Sequence, residues 1–270
     1  RFFFPKFNWL KLQWRIAASQ RPIAADTIFL GDSVGGQIFP FPQQEGYLTA
    51  NGPVLMAGNY ILAHNAISAN PNIKRVVLVS VPNMIGFRFE HPFTYNSFIK
   101  PFFTFENLVH FDPIVYSKMS KKPLSFFCIF GAVKLLPFSD INFSPGTPYD
   151  PTVLSDISIH YLKKLKTLCN ERNIQFQIIS PPVPQETWER TKGWEVMRKQ
   201  IKDHSLESIF GDYLDQIILL PDDCFGDGLH MRRDYIIENR MKLRSAMLAR
   251  AGIEPDINLR ITPLPEESEN

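Results

Sequence analysis

The sequence predicts an α/β protein: a three-layer α/β/α arrangement with a mostly parallel central sheet and one inserted Phe-rich cap. Three observations predict it. Short apolar runs rich in β-branched residues alternate with segments of helical spacing, as in strands linked by crossover helices. One run, "KRVVLVSVP", is almost continuously apolar, as a strand covered on both faces requires. The 270 residues, 44% hydrophobic and 21% charged, are enough to bury a substantial core without covalent or metal staples.

Taken in order, residues 1–20 form a basic, aromatic arm, "RFFFPKFNWLKLQWR". Interleaved Phe, Trp, Arg and Lys suit a membrane–water boundary; they suit equally an arm packed over the main domain. No apolar run approaches the ~20 residues needed to span a bilayer. The chain begins with Arg and is read as a fragment or processed product, so membrane association through this arm or through an upstream helix stays open.

The main domain is expected over residues 21–255. "DTIFLGDS" reads as a buried strand, Thr27 to Leu30, ending in a turn. "GYLTANG" is a weaker strand closed by Asn51-Gly52. "VLMAGNYILAHNAISAN" has helical spacing, with Leu55, Tyr60, Ile61, Leu62 and Ile67 near one face and Pro53 at a tolerated first-turn position. "KRVVLVSVP" is the clearest strand. "DPTVLSDISIHYLKKLKTLCNERN" is a long amphipathic helix, with Asp150 as its cap and Asn173 at its left-handed end. "IQFQIISPP" is the next strand, "ETWERTKGWEVMRKQI" a helix despite Gly193, "DQIILLPDD" the last strand, and "RRDYIIENRMKLRSAMLARAG" a closing helix ended by Gly252. Residues 256–270 form an extended or frayed tail.

Between 86 and 150 the alternation fails, and 13 of the 23 Phe residues fall there. A structureless loop of that length is improbable, so the stretch reads as an inserted cap. It either packs on itself or forms a greasy wall over a site.

The balance of charge excludes some functions. A formal net charge of +2 without a basic tract does not suit a duplex nucleic-acid binder. Cys128, Cys169 and Cys224 form no CxxC, so neither a disulfide framework nor a structural zinc site is expected. A single disulfide with one free thiol remains open. No metal and no cofactor are expected.

Sites in parallel sheets form beyond the carboxyl ends of the strands. There the first strand ends in "LGDSVGG", placing Ser33 at a strand-to-helix turn. The helix start directs free N–H groups and the positive dipole end to the same spot. An oxyanion formed at Ser33 would meet the Ser33 and Val34 amides, with Gly35 and Gly36 keeping the turn uncrowded. "GDSVGG" matches neither dinucleotide nor phosphate fingerprint. A serine hydroxyl needs a base, and the base needs an acid to set its tautomer. "DGLH" supplies both: Asp227 and His230 lie three apart, side by side if they share a helical turn. The segment follows the last strand and so reaches the same sheet edge.

This arrangement resembles the SGNH (GDSL-type) hydrolase and acyltransferase superfamily over about Asp26 to Gly252. "GDS" at Gly31–Ser33 looks like its nucleophile block and "DGLH" at Asp227–His230 like its Asp-x-x-His block. The resemblance implies a flavodoxin-like fold, Ser33 as nucleophile, His230 as base and Asp227 as its acid. It also implies an oxyanion hole from the Ser33 and Gly52 amides and the Asn83 side chain, with Asn51 as a fallback donor. The third block departs from the family's Gly-x-Asn-Asp: here the strand ends "SVPNM", and the "GN" at Gly58-Asn59 sits inside a helix. That departure suggests a divergent branch, closer to envelope polysaccharide acyltransferases than to secreted lipases.

The expected function is therefore a serine esterase or O-acyltransferase acting on an acylated, O-acetylated carbohydrate or another ester. A cell-envelope or periplasmic setting is favoured over a cytoplasmic one. The rival is a non-catalytic domain on the same fold that binds glycan or a protein partner. Among other residues, Arg232 and Arg233 beside His230 could meet an anionic substrate. Trp188 and Trp194 could stack on a sugar, and Asp222-Asp223 could bind a cation. His64, His91, His110, His160 and His204 have no companions at metal-ligand spacing. For each of these the bland reading is packing or a solvated turn.

Overall fold

The computed structural model of the chain describes residues 4–40, 46–49, 54–85, 94–118 and 154–254. Helix α1 (Phe4–Ser19) leads into β1 (Thr27–Gly31) and the short α2 (Ser33–Ile38). There follow α3 (Leu55–Ala69), β2 (Arg75–Val79) and α4 (Pro82–Ile85). Next come a π-helical turn (Tyr95–Ile99), α5 (Lys100–Phe102), a 3-10 turn (Leu108–His110) and α6 (Pro113–Ser117). The second half holds α7 (Asp156–Glu171), β3 (Gln175–Ile179), β4 (Val183–Pro184), α8 (Gln185–Arg190) and α9 (Gly193–Asp203). It closes with α10 (Glu207–Phe210), β5 (Leu219–Leu220) and α11 (Arg233–Arg250).

The protein is thus mixed α/β with a small parallel sheet. Strands run β1-β2-β3, all parallel, with Thr27 opposite Arg75 and Arg75 opposite Gln175. Because side chains alternate across a strand, the sheet feeds two cores. Ile28, Leu30, Val76, Leu78, Phe176 and Ile178 join the cluster that contains α3 and α7. Phe29, Val77, Val79 and Ile179 join the cluster that contains Leu243 and Met247 of α11. Val76 to Val79 are fully buried, which explains the unbroken apolar run. β3 continues through Ser180–Pro182 into β4, which pairs in parallel with β5.

Several expectations are corrected. Within its described residues, 46–49, the second strand makes one parallel bridge, Tyr47 with Phe29. Thr49 is bonded elsewhere: its hydroxyl donates to Phe39 O and its carbonyl accepts from the Arg15 guanidinium. Helix α3 is buried nearly all round, Leu55 through Ala63 without a gap, rather than on one face. The cause is cover from both sides, by Leu12 and Ile16 of α1 and by Phe98 and Phe102. α7 begins at Ser155, whose hydroxyl accepts from Ser158 N at 3.1 Å, and not at Asp150, which lies outside the described residues. The helix expected across "ETWERTKGWEVMRKQI" is two helices, broken at Lys192, with φ of 50°. Gly193 lies beneath the Trp188 ring, where a Cβ would come within 2.4 Å of Cε3. The turn is set by that close approach. Asn173 does adopt the left-handed conformation, φ 54°, and Gly252 ends α11 at φ 65°.

From Leu12 onward the N-terminal arm is a packing helix, with Arg15 buried and Trp14 exposed. Among the described residues no helix is long and apolar enough to cross a membrane. The described part of the Phe-rich stretch, 94–118, does not stand apart as a cap. Phe98, Phe102, Phe103 and Phe111 are buried in the same core as the sheet, and the Phe98 and Phe111 rings stack at 5.0 Å.

Candidate functional site

Three sequence signals become geometry at the carboxyl end of β1. Gly31 ends the strand opposite Val79, and a Cβ at Gly31 would lie 2.2 Å from the Val79 carbonyl oxygen, so the residue cannot carry one. Asp32 is the N-cap of α2, its Oδ1 accepting from Val34 N at 2.9 Å and Gly35 N at 3.3 Å. Ser33 is therefore the first helical residue, held by a strand behind and a capped helix ahead.

The "DGLH" segment reaches the same point. Ser33 Oγ lies 2.8 Å from His230 Nε2, across 197 positions of sequence. His230 Nδ1 lies 2.8 Å from Asp227 Oδ2. Asp227 and His230 do not share a helical turn, as spacing alone suggested. Instead the Asp227 carboxylate folds the loop by accepting the His230 N–H at 2.7 Å and the Leu229 N–H at 3.1 Å. Aspartate turns of this kind bond their own backbone two or three residues on. Burial pushes the Asp227 carboxyl up, but the His230 and Leu229 amides and the His230 ring hold it below the usual carboxylate range. An ionised Asp227 selects the Nδ1–H tautomer, leaving the Nε2 lone pair for the Ser33 hydroxyl.

Two neighbours escaped the sequence reading. Asp32 is buried, and that burial pushes its carboxyl up to about 6 against the opposing pull of the Gly35 and Val34 amides and the field of His230. An Asp directly before a helix-starting serine is an N-cap signature, so this role was legible. Arg244 of α11 is buried and donates through Nη2 to Ile38 O at 3.0 Å and through Nη1 to Tyr47 Oη at 3.3 Å. Arg240 donates to Gln37 O at 2.8 Å. These two tie the C-terminal end of α2 to the helix that follows His230; no motif announces them.

The oxyanion donors fare unevenly. The Ser33 N–H has no partner among the described residues. The Val34 N–H, expected to help, is occupied by Asp32 Oδ1. Asn83 falls on α4, directly beyond the end of β2, as the strand order required; its side chain lies outside the description. Gly52 and Asn51 lie outside the described residues. Asn59 is buried inside α3, its Nδ2 donating to Leu55 O at 3.1 Å. Arg232 is not free for a substrate anion: Nε and Nη2 bind Asp234 at 3.2 and 2.7 Å.

The remaining candidates sit elsewhere. His64 and His110 face each other at 4.2 Å between ring centroids, and His160 Nε2 meets Asp112 at 2.7 Å. His204 ends α9, and His91 lies outside the described residues. Trp188 is buried edge-on against Trp194, and Asp222 binds Glu186 N at 2.9 Å and Thr187 Oγ1 at 2.8 Å, at the start of α8. Among the described residues no group of three or more His, Cys, Asp or Glu is arranged to hold a metal ion. Of the protein-family models, curated proteins and solved structures compared with this chain, none matches.

Proposed function

We propose that this chain is a serine esterase or O-acyltransferase of SGNH type, working through an acyl-serine intermediate on an acylated carbohydrate or related ester. The observation that carries the reading is the continuous hydrogen-bond line Ser33–His230–Asp227, 2.8 Å at each step. A flavodoxin-like, three-layer fold is supported by the parallel sheet β1-β2-β3 with the Tyr47 bridge beside β1, by the β4–β5 pair that continues beyond β3, and by apolar cores on both sheet faces. In such sheets the carboxyl ends of the strands carry the site.

Ser33 Oγ attacks the ester carbonyl carbon while His230 Nε2 takes its proton. The tetrahedral oxyanion meets the Ser33 N–H, with the Gly52 amide and the Asn83 side chain as further donors. Collapse breaks the bond to the leaving alkoxide, which takes the proton from His230 and departs as an alcohol. Water or a sugar hydroxyl then gives its proton to His230 and attacks acyl-Ser33, and a second collapse restores the serine. Water makes the protein an esterase and a sugar hydroxyl an O-acyltransferase. Asp32 occupies the Val34 amide, and a missing oxyanion donor costs about 10²–10³ in rate. That observation favours the second reading, a non-catalytic glycan- or protein-binding domain.

A fluorophosphonate probe separates the two. Wild type should be labelled and Ser33→Ala should not; equal labelling of both removes Ser33 as the activated nucleophile. Hydrolysis of p-nitrophenyl acetate, abolished in His230→Ala, counts against the binder. Labelling with negligible hydrolysis favours transfer to a sugar.

A further inference from the structure

We infer that Gln37 is the positioning residue that keeps His230 in register with Ser33, an inference that rests on the acyl-serine reading. Gln37 lies four residues after Ser33 on α2, so the two side chains share a face. Ser33 meets the His230 ring, and Gln37 meets the backbone of the next residue. Its Nε2 donates to Met231 O at 2.9 Å, and its Oε1 accepts from Met231 N at 3.1 Å.

The loop is built to offer those two groups. Phe225 and Met231 form an antiparallel bridge. The bonds that close it flank the pair: Gly226 N to His230 O at 2.8 Å and Arg232 N to Cys224 O at 2.9 Å. Met231 is thus the non-hydrogen-bonded member of the ladder, and its own N–H and C=O point away from the hairpin. The Gln37 amide binds both, as a third strand would. The Met231 side chain is buried in the α11 core, so the loop is anchored on that side as well. Arg240 and Arg244 hold carbonyls of α2 itself. Among the described residues, Gln37 is the only α2 side chain that bonds the backbone of the histidine loop. A displacement of about 1 Å at a reacting group is worth about 10²-fold in rate, and Gln37 fixes that spacing one residue from the imidazole.

The test uses the full chain and two variants. Gln37→Met keeps the side-chain length and loses both bonds; Gln37→Glu keeps the acceptor alone. Gln37→Met should slow Ser33 labelling and lower kcat for p-nitrophenyl acetate by about tenfold or more, with KM within about twofold. Gln37→Glu, which sets a carboxylate oxygen against the Met231 carbonyl in place of the donor, should fall at least as far. In a His230→Ala background Gln37→Met should change the labelling rate no further, because nothing is left to position. A purely structural role would give the same fall in both backgrounds.

A readout without catalysis accompanies these. In Gln37→Met, hydrogen exchange at the Met231 amide should quicken by about tenfold or more, and the ring ¹⁵N signals of His230 should shift. The Gly226 and Arg232 amides should keep their rates. If wild type is labelled and Gln37→Met is labelled equally fast, or if Met231 exchange and the ring signals do not change, the positioning role is overturned. If wild type is not labelled at all, the acyl-serine reading fails alone; the exchange and ring signals still decide whether Gln37 holds the loop.

Discussion

Replacing Asp32 with Asn should change how stability depends on pH. Asp32 is enclosed, and its carboxyl is raised from 3.8 to about 6, chiefly by burial. A carboxyl raised on folding binds its proton more tightly in the native state. Its contribution to stability is full below pH 3.8 and is lost as pH rises through about 6. At about 1.4 kcal/mol per pH unit, the whole interval is worth about 3 kcal/mol, of which about 2 kcal/mol falls between pH 4.5 and 7.5. Asn keeps an oxygen for the Val34 and Gly35 amides but does not titrate. Its amide nitrogen brings its own burial, so the slope, not the absolute offset, is the prediction. Urea unfolding of both proteins at four pH values across that range gives the difference directly, and groups common to both cancel. The Asn variant should gain about 2 kcal/mol relative to wild type toward pH 7.5. Curves that stay parallel within about 0.5 kcal/mol would refute a raised carboxyl at this cap.

Three further perturbations follow from particular contacts. Gly31→Ala places a Cβ 2.2 Å from Val79 O at a φ of 152° and should cost on the order of 3 kcal/mol or more in urea unfolding; a loss under about 1 kcal/mol would mean that the β1–β2 contact yields easily. Tyr161→Phe removes a hydroxyl that accepts from Asp112 N at 3.2 Å and donates to His110 O at 2.8 Å, so thermal and urea unfolding should show a loss of about 1–3 kcal/mol. An unchanged midpoint would show that water replaces it. Arg232→Ala should alter kcat/KM for p-nitrophenyl acetate by less than about threefold, because the guanidinium is exposed and tied to Asp234; a tenfold loss would return it to the substrate.

What the sequence could show depended on how locally each feature is determined. β1 and β2 were legible because a strand buried on both faces leaves an apolar run that nothing else explains, and β3 because Gln175 and Gln177 alternate with buried Phe176 and Ile178. The second strand was legible in place, since "GYLTANG" holds the Tyr47 bridge, but not the pull on Thr49, whose carbonyl accepts from Arg15 of α1. The start of α7 was ambiguous by nature: Asp150 and Ser155 are both good caps, and local chemistry does not rank them. The break before Gly193 depends on where the Trp188 ring lies, which spacing cannot give. α3 read as amphipathic because its apolar residues do favour a face, yet α1 and the Phe-rich turns bury the rest of its first half. The site was legible as two short motifs, because a strand-end serine and an Asp-x-x-His pair are each compact. The α2–α11 clamp through Arg240 and Arg244 was illegible, since it joins residues some two hundred positions apart.

The two aspartates near His230 show why burial, and not proximity, assigns their roles. Asp32 lies close enough for its field to be felt by the imidazole, yet its Oδ1 already serves two helix amides and its charged form is penalised. An acid raised to about 6 is protonated part of the time near neutral pH and makes a poor fixed counter-charge. Asp227 is the opposite case. Its side chain is 59% exposed, so water screens it and the bare ion pair contributes little stability. Exposure also keeps it ionised, and three bonds from Leu229 and His230 orient it. The enclosed acid therefore shapes the helix start that presents Ser33, while the open one sets the tautomer of the base. Exchanging their environments would undo both tasks, even though the residue type at each position would be the same.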